Sequence, residues 1–137
     1  MMREVTVNSV EETWALAADL AATLHPGDVV CLEGDLGAGK TTFTQGLAKA
    51  FGVPGRVVSP TFCIVQEHGT LVHMDLYRLN SEADVLDLGW DDFRARGAII
   101  VVEWPERAGS LIPENARRVR FWHGKENSEE RKIAIDF

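Results

Sequence analysis

The chain reads as an α/β protein, a three-layer sandwich with helices on both faces of a mixed, mainly parallel central sheet. Three observations lead there. Gly34-Asp35-Leu36-Gly37-Ala38-Gly39-Lys40-Thr41 spells G-x-x-x-x-G-K-[ST], the string of a phosphate-binding loop. The flanks suit it. Asp28-Val29-Val30-Cys31-Leu32 is a short apolar run fit for a buried strand, and the stretch after the loop carries apolar residues at 43, 47, 50 and 51, a helical spacing. Ala98-Ile99-Ile100-Val101-Val102 is the most apolar short run and reads as a central parallel strand. The expected sandwich is therefore P-loop NTPase-like, a single domain over residues 1–137.

The elements follow in order. Val5 to Val7 alternates like a first strand. Asn8 or Ser9 caps a helix, with Glu11 and Glu12 in its first turn facing the positive end of the dipole. Apolar positions carry that helix through Trp14, Leu16, Ala17, Leu20, Ala21 and Leu24, and His25-Pro26-Gly27 ends it. Strand, glycine loop and second helix come next, and Gly52-Val53-Pro54-Gly55 breaks the helix. Val57-Val58 and Thr61 to Gln66 are expected to be extended, with Ser59-Pro60-Thr61 between them. His68-Gly69-Thr70 turns into a strand over Leu71 to Leu76. Asn80 or Ser81 starts a short helix that Gly89 closes. After the central strand, Arg117 to Trp122 and Lys132 to Phe137 resemble a closing hairpin around residues 124–127.

Composition narrows the function classes. An apolar fraction of 45% and a charged fraction of 26% are those of an ordinary globular protein. No apolar run approaches the roughly 18 residues of a membrane span, and the N-terminus lacks a signal-peptide core. A cytoplasmic protein without membrane contact is expected. Cys31 and Cys63 lie in apolar runs and read as reduced core residues. The formal net charge of −7 argues against unaided nucleic-acid binding, which normally needs a basic surface. Arg117, Arg118 and Arg120, with Lys125, Arg131 and Lys132, read as a solvated face of edge strands.

The chemistry centres on the loop. Its glycines let backbone N–H groups curl inward on an anion, and the following helix adds unpaired N–H groups and its dipole. Gly34, Asp35, Leu36, Gly37, Ala38, Gly39, Lys40, Thr41 and Thr42 are the candidate nucleotide contacts. Lys40 brings a point charge for the β- and γ-phosphates, and Thr41 a hydroxyl for Mg²⁺. Such a site needs an acidic group at a neighbouring strand end. Glu103 follows the strand ending at Val102, and Asp75 follows Leu71 to Met74 in the same way. Either suits the metal or the attacking water, and the residues alone do not divide these roles. Thr61, about 20 residues beyond Lys40, stands where a γ-phosphate-sensing switch belongs. Trp104, beside Glu103, is a candidate wall of the nucleotide site, whereas Arg78 reads as a structural ion-pair partner. His25, His68, His73 and His123 show no catalytic or metal spacing and read as surface or satisfied core groups.

Four segments in order strongly resemble the TsaE (YjeE) family: Leu32 to Phe43 (LEGDLGAGKTTF), Val58 to Phe62 (VSPTF), Met74 to Leu79 (MDLYRL) and Val102 to Pro105 (VEWP). Leu88 to Asp92 and Leu111-Ile112-Pro113 are similar too, so the match runs from about Val5 to Pro113. The resemblance implies a weak bacterial ATPase of tRNA threonylcarbamoyladenosine (t6A) biosynthesis. It implies a TsaD–TsaB protein pair as partner, which transfers threonylcarbamoyl to adenosine 37 of ANN-decoding tRNAs. The tRNA is met only through that pair, and ATP hydrolysis supports repeated cycles. Carried over by motif, Lys40 contacts phosphate, Thr41 and Glu103 bind Mg²⁺, and Asp75 serves hydrolysis. Thr61 lies in the switch-like segment, Trp104 lies close to nucleotide, and Ser9 touches adenine. Phe62 stands where the family commonly has Tyr, and the tail beyond Pro113 diverges.

Two other readings compete. A small-molecule P-loop kinase would need an acceptor pocket and an arginine-rich lid, and no such lid is visible. A nucleotide-dependent adaptor that does not hydrolyse is the second. A GTPase would show N-K-x-D, which the chain lacks. No arginine is placed unmistakably as a finger, so a partner is expected to complete the site.

Overall fold

The computed structural model describes residues 2–35, 37–53, 65–126 and 128–136. The elements are β1 (Met2–Val7), α1 (Val10–Ala21), β2 (Val29–Gly34), α2 (Lys40–Ala50), β3 (Val65–His68), β4 (Leu71–Asp75), α3 (Glu82–Asp87), α4 (Trp90–Ala95) and β5 (Ile99–Glu103). Two 3₁₀ turns, Pro105–Arg107 and Gly109–Leu111, lead to β6 (Arg117–His123) and β7 (Arg131–Asp136).

The strands form one sheet in the order β1-β7-β6-β2-β5-β4-β3. β2 pairs parallel with β5 and β6, and β4 parallel with β5. The β1–β7, β6–β7 and β3–β4 pairs are antiparallel. β1, β6, β2, β5 and β4 thus run one way, and β7 and β3 run against them. The α/β sandwich with a mixed sheet is what the sequence leads one to expect.

Period-two alternation divides the sheet residues between two cores. Val30 and Leu32, Ile99 and Val101, and Val119 and Phe121 pack with Leu16, Leu20, Phe43 and Leu47 of α1 and α2. Val29 and Cys31, Ile100 and Val102, and Val72 and Met74 pack with Val85 of α3 and Trp90 of α4. Strands covered on both faces must be apolar at every position, which is why 29–32 and 99–102 read as unbroken runs. Burial also pushes the Cys31 thiol up to about 11, with Glu33 and Glu106 reinforcing and Arg118 opposing, so it behaves as an inert core residue. Cys63 lies outside the described residues.

Ser9 caps α1, its Oγ accepting the Glu12 N–H at 3.1 Å. The Glu12 carboxylate accepts the Asn8 N–H in return. The helix stops at Ala21, not at Leu24. Thr23 and Leu24 turn more tightly, their N–H groups reaching back to the carbonyls of Leu20 and Ala21. Leu24 still packs against the core, which explains why it continued the apolar pattern. α1 and α2 approach closely because Gly46 faces Ala17: a Cβ at 46 would lie 2.7 Å from the Ala17 Cβ.

Three expectations need correction. One helix was expected to end at Gly89. Instead Gly89, at φ +104°, separates α3 from α4, and Trp90, 1% exposed, anchors the second helix. Six-residue helices complete too few turns to show a period in sequence. The basic tail is not on edge strands either, because β1 closes over β7 and β6 lies between β7 and β2. Arg117 there donates to Thr23 at 2.9 Å, and Arg118 and Arg120 pair with Glu33. Arg78 is exposed and forms no ion pair among the described residues. The expected extended stretches at Val57-Val58 and Thr61–Ile64 lie outside the described residues. Among those described, no helix is long and apolar enough to cross a membrane.

Candidate functional site

The loop after β2 opens at the carboxyl edge of the parallel strands, where open α/β sheets bind ligands. Its glycines are required by more than phosphate. Gly34 has φ +149°, and a Cβ there would lie 2.6 Å from the Phe121 carbonyl oxygen of β6. Gly37 (φ +79°) and Gly39 (φ +115°) also take left-handed conformations. Phe121 in turn meets Phe43 of α2 edge to face, centroids 5.5 Å apart. An aromatic floor thus holds the loop against the helix. Gly39 precedes α2 without a side-chain cap, leaving first-turn N–H groups for a ligand.

Lys40, the first residue of α2, turns back under the loop. Its Nζ donates to the Gly34 carbonyl at 2.7 Å and lies 3.5 Å from Glu103 Oε1. Glu103 ends β5, in register with Leu32 of β2 and Asp75 of β4. Both sequence-predicted carboxylates therefore stand on adjoining strand ends. Their states differ. Asp75 Oδ1 accepts the Tyr77 N–H at 3.0 Å, closing its own turn, and the residue is half-buried. Glu103 is 6% exposed. Burial opposes its ionisation, but the His73 hydrogen bond and charge and the Lys40 ammonium outweigh it, holding the carboxyl below the usual range.

His73 is a core histidine, as the sequence allowed, but its partner is a residue of the site. It is fully buried on β4, and its Nε2 lies 2.8 Å from Glu103 Oε2. The signal was present: alternation sets Leu71, His73 and Asp75 on one face of β4, beside Ile99, Val101 and Glu103 of β5.

Two cavities flank the loop. One, about 130 Å³, is lined by Gly34, Lys40, Glu33, Trp104, Pro105 and Glu106. Trp104 is the non-glycine residue at positive φ (+59°) among those described, and it contacts the exposed Tyr77, centroids 4.8 Å apart. The other cavity, about 140 Å³, joins Ser9, Gly37, Gly39 and Thr42 to Glu129 and Arg131. Sequence reasoning reached Ser9 but missed Glu129 and Arg131. Only the pairing of β7 between β1 and β6 carries that distant segment beside the loop. Leu36 and Thr61 lie outside the described residues.

Among the described residues no three His, Cys, Asp or Glu side chains form a protein-only metal cage. Magnesium does not need one: it takes oxygen ligands and usually keeps waters and substrate phosphates in its shell. The oxygen donors of Thr41 and Glu103 suit that demand.

A family model described as "Threonylcarbamoyl adenosine biosynthesis protein TsaE" matches residues 7–133. A protein of Bacillus subtilis (strain 168) named tRNA threonylcarbamoyladenosine biosynthesis protein TsaE is 42% identical over 134 residues, 95% of this chain and 82% of that protein. Its namesake from Aquifex aeolicus (strain VF5) is 41% identical over 136 residues, 89% of this chain and 97% of that protein. Among solved structures, the crystal structure of Bacillus subtilis YdiB superposes with a TM-score of 0.80 at 33% identity, covering 98% of this chain and 84% of that one.

Proposed function

Because the chain belongs to the TsaE family of tRNA threonylcarbamoyladenosine biosynthesis proteins, we propose that it serves this modification as a magnesium-dependent, weakly hydrolysing ATPase. One observation carries the ATP reading. Lys40 Nζ and Glu103 Oε1 lie 3.5 Å apart beneath a glycine loop, where a cation for phosphate and a carboxylate for its metal belong together.

The loop amides and the first turn of α2 would take the phosphates. Lys40 would exchange its contacts with Gly34 and Glu103 for the β- and γ-phosphate oxygens. Thr41 and Glu103 would hold Mg²⁺, which when bound neutralises charge on the transferring phosphoryl group. Asp75, one strand over, would orient the attacking water. Ser9 and Arg131 would receive the nucleoside end, and Trp104 would wall the phosphate end. Thr61 keeps its reading as the γ-phosphate switch.

The lining of the site supports a reading of slow turnover. Among the described residues the cavity at Lys40 contains no arginine, and an arginine finger is worth about 10³–10⁵ in rate. A TsaD–TsaB-type complex in the cytoplasm would complete the site and carry the tRNA. Hydrolysis would reset that complex between cycles.

Calorimetry with MgATP and MgADP tests the reading. The unsubstituted chain should bind both, Lys40→Ala neither. Glu103→Gln should keep nucleotide but lose at least about tenfold in turnover, equal to about 1.4 kcal/mol of barrier. No heat from folded, nucleotide-free protein, alone or with its partners, would sink the ATP reading. Phosphate appearing on a metabolite would favour the kinase. In reconstituted t6A synthesis, omitting this chain should cut the cycles per complex.

A further inference from the structure

His73 has no role in the chemistry above, yet it is fully buried and touches the group at its centre. Its Nε2 lies 2.8 Å from Glu103 Oε2, and a carboxylate only accepts, so Nε2 carries the proton. Its Nδ1 is also buried and has no hydrogen-bond partner among the described residues. A residue chosen for packing alone would avoid that idle polar atom. Its neighbours on that face of the sheet are the apolar Leu71, Ile99 and Val101, with Gln66 directly opposite on β3 and Asp75 two residues on. Among the described residues the imidazole makes one hydrogen bond, the one to Glu103.

That contact does what Lys40 cannot. A glutamate's terminal torsion is broad, so a carboxylate that nothing holds turns freely. Glu103 is gripped at Oε2 by His73 and approached at Oε1 by Lys40. When phosphate draws Lys40 away, His73 alone keeps the carboxylate plane in place. We propose that His73 is the positioning residue that fixes Glu103, leaving Oε1 to face the magnesium of the bound nucleotide. This rests on the reading of Glu103 as the metal-holding carboxylate. Groups that hydrogen-bond metal ligands commonly matter 10–100-fold in metal affinity, by analogy about the scale expected here.

The test measures ADP affinity of the full chain by calorimetry across a magnesium series and in EDTA. His73→Phe keeps a ring and removes the donor. It should need about tenfold more magnesium for the half-maximal effect, with metal-free ADP affinity unchanged to within about twofold. His73→Gln, which returns an N–H near Nε2, should recover most of the loss. A merely structural role would lower both affinities together, or leave Gln as impaired as Phe, and either result overturns the proposal. Glu103→Gln runs in parallel. If it leaves the magnesium dependence untouched, the reading of Glu103 fails and takes this proposal with it. If it shifts the dependence and His73→Phe does not, the role of His73 alone falls. Should His73→Phe not fold, long-range ¹H–¹⁵N spectra of the unsubstituted chain decide. They should show His73 protonated at Nε2, with signals that move on adding MgADP but not ADP with EDTA. An Nδ1–H tautomer, or equal movement in both, refutes it.

Discussion

Gly34 illustrates how one residue serves both packing and chemistry. Any side chain there meets the Phe121 carbonyl at 2.6 Å and must adopt φ +149°. Gly34→Ala should therefore cost about 1–3 kcal/mol of stability. It should also weaken nucleotide binding, since Lys40 takes its bearing from the Gly34 carbonyl. Urea unfolding and calorimetry on the same preparation check both; unchanged stability would refute the close-approach argument. Glu103 supplies a pH signature. Its carboxyl titrates below its ordinary 4.5 in the fold, so its contribution is present above that value and fades as pH falls through the lowered one. The stability gap between the unsubstituted chain and Glu103→Gln should be largest near neutrality and close as pH falls through the lowered carboxyl range. A gap that stays constant down to acid would show that ionisation of Glu103 contributes nothing.

At the level of elements, α1 and α2 are matched by their smallest residues. Replacing Gly46 by Ala in a helix interior ordinarily stabilises by about 1 kcal/mol. Here the new Cβ would stand 2.7 Å from the Ala17 Cβ and 3.0 Å from the Trp14 Cα. Overpacking of that kind costs about 1–3 kcal/mol, so the steric effect should win and Gly46→Ala should lower the melting temperature. A rise would mean the helices separate easily. The two short helices behave differently: α3 and α4 rest on the Ser81 cap and the burial of Val85 and Trp90. Neither is long enough to be stable alone. That is why a single helix ending at Gly89 was the natural reading of a sequence in which the glycine in fact joins two.

Over the whole molecule, the terminal strands matter most. β1 covers β7, which would otherwise be an unpaired edge next to the loop-bearing half of the sheet. Removing residues 1–7 should expose that edge, lower stability and produce concentration-dependent association visible by light scattering. It should also loosen the cavity that Ser9 and Arg131 share. A truncated chain that stays monomeric and equally stable would show that β1 is dispensable.

The glycine loop, the strand before it and Glu103 were legible in the residues because each depends on neighbours in sequence: a turn needing positive φ, an apolar run, a charge ending that run. The doubly covered strands were legible too, because burial on both faces excludes polar residues at every position. The partnership of His73 with Glu103 spans 30 residues, and β7 joins Arg131 to a loop some ninety positions earlier by pairing that leaves no local mark. Strand order is a property of the folded sheet. It set which carboxylate stands over Lys40, which histidine holds it and which arginine reaches the loop.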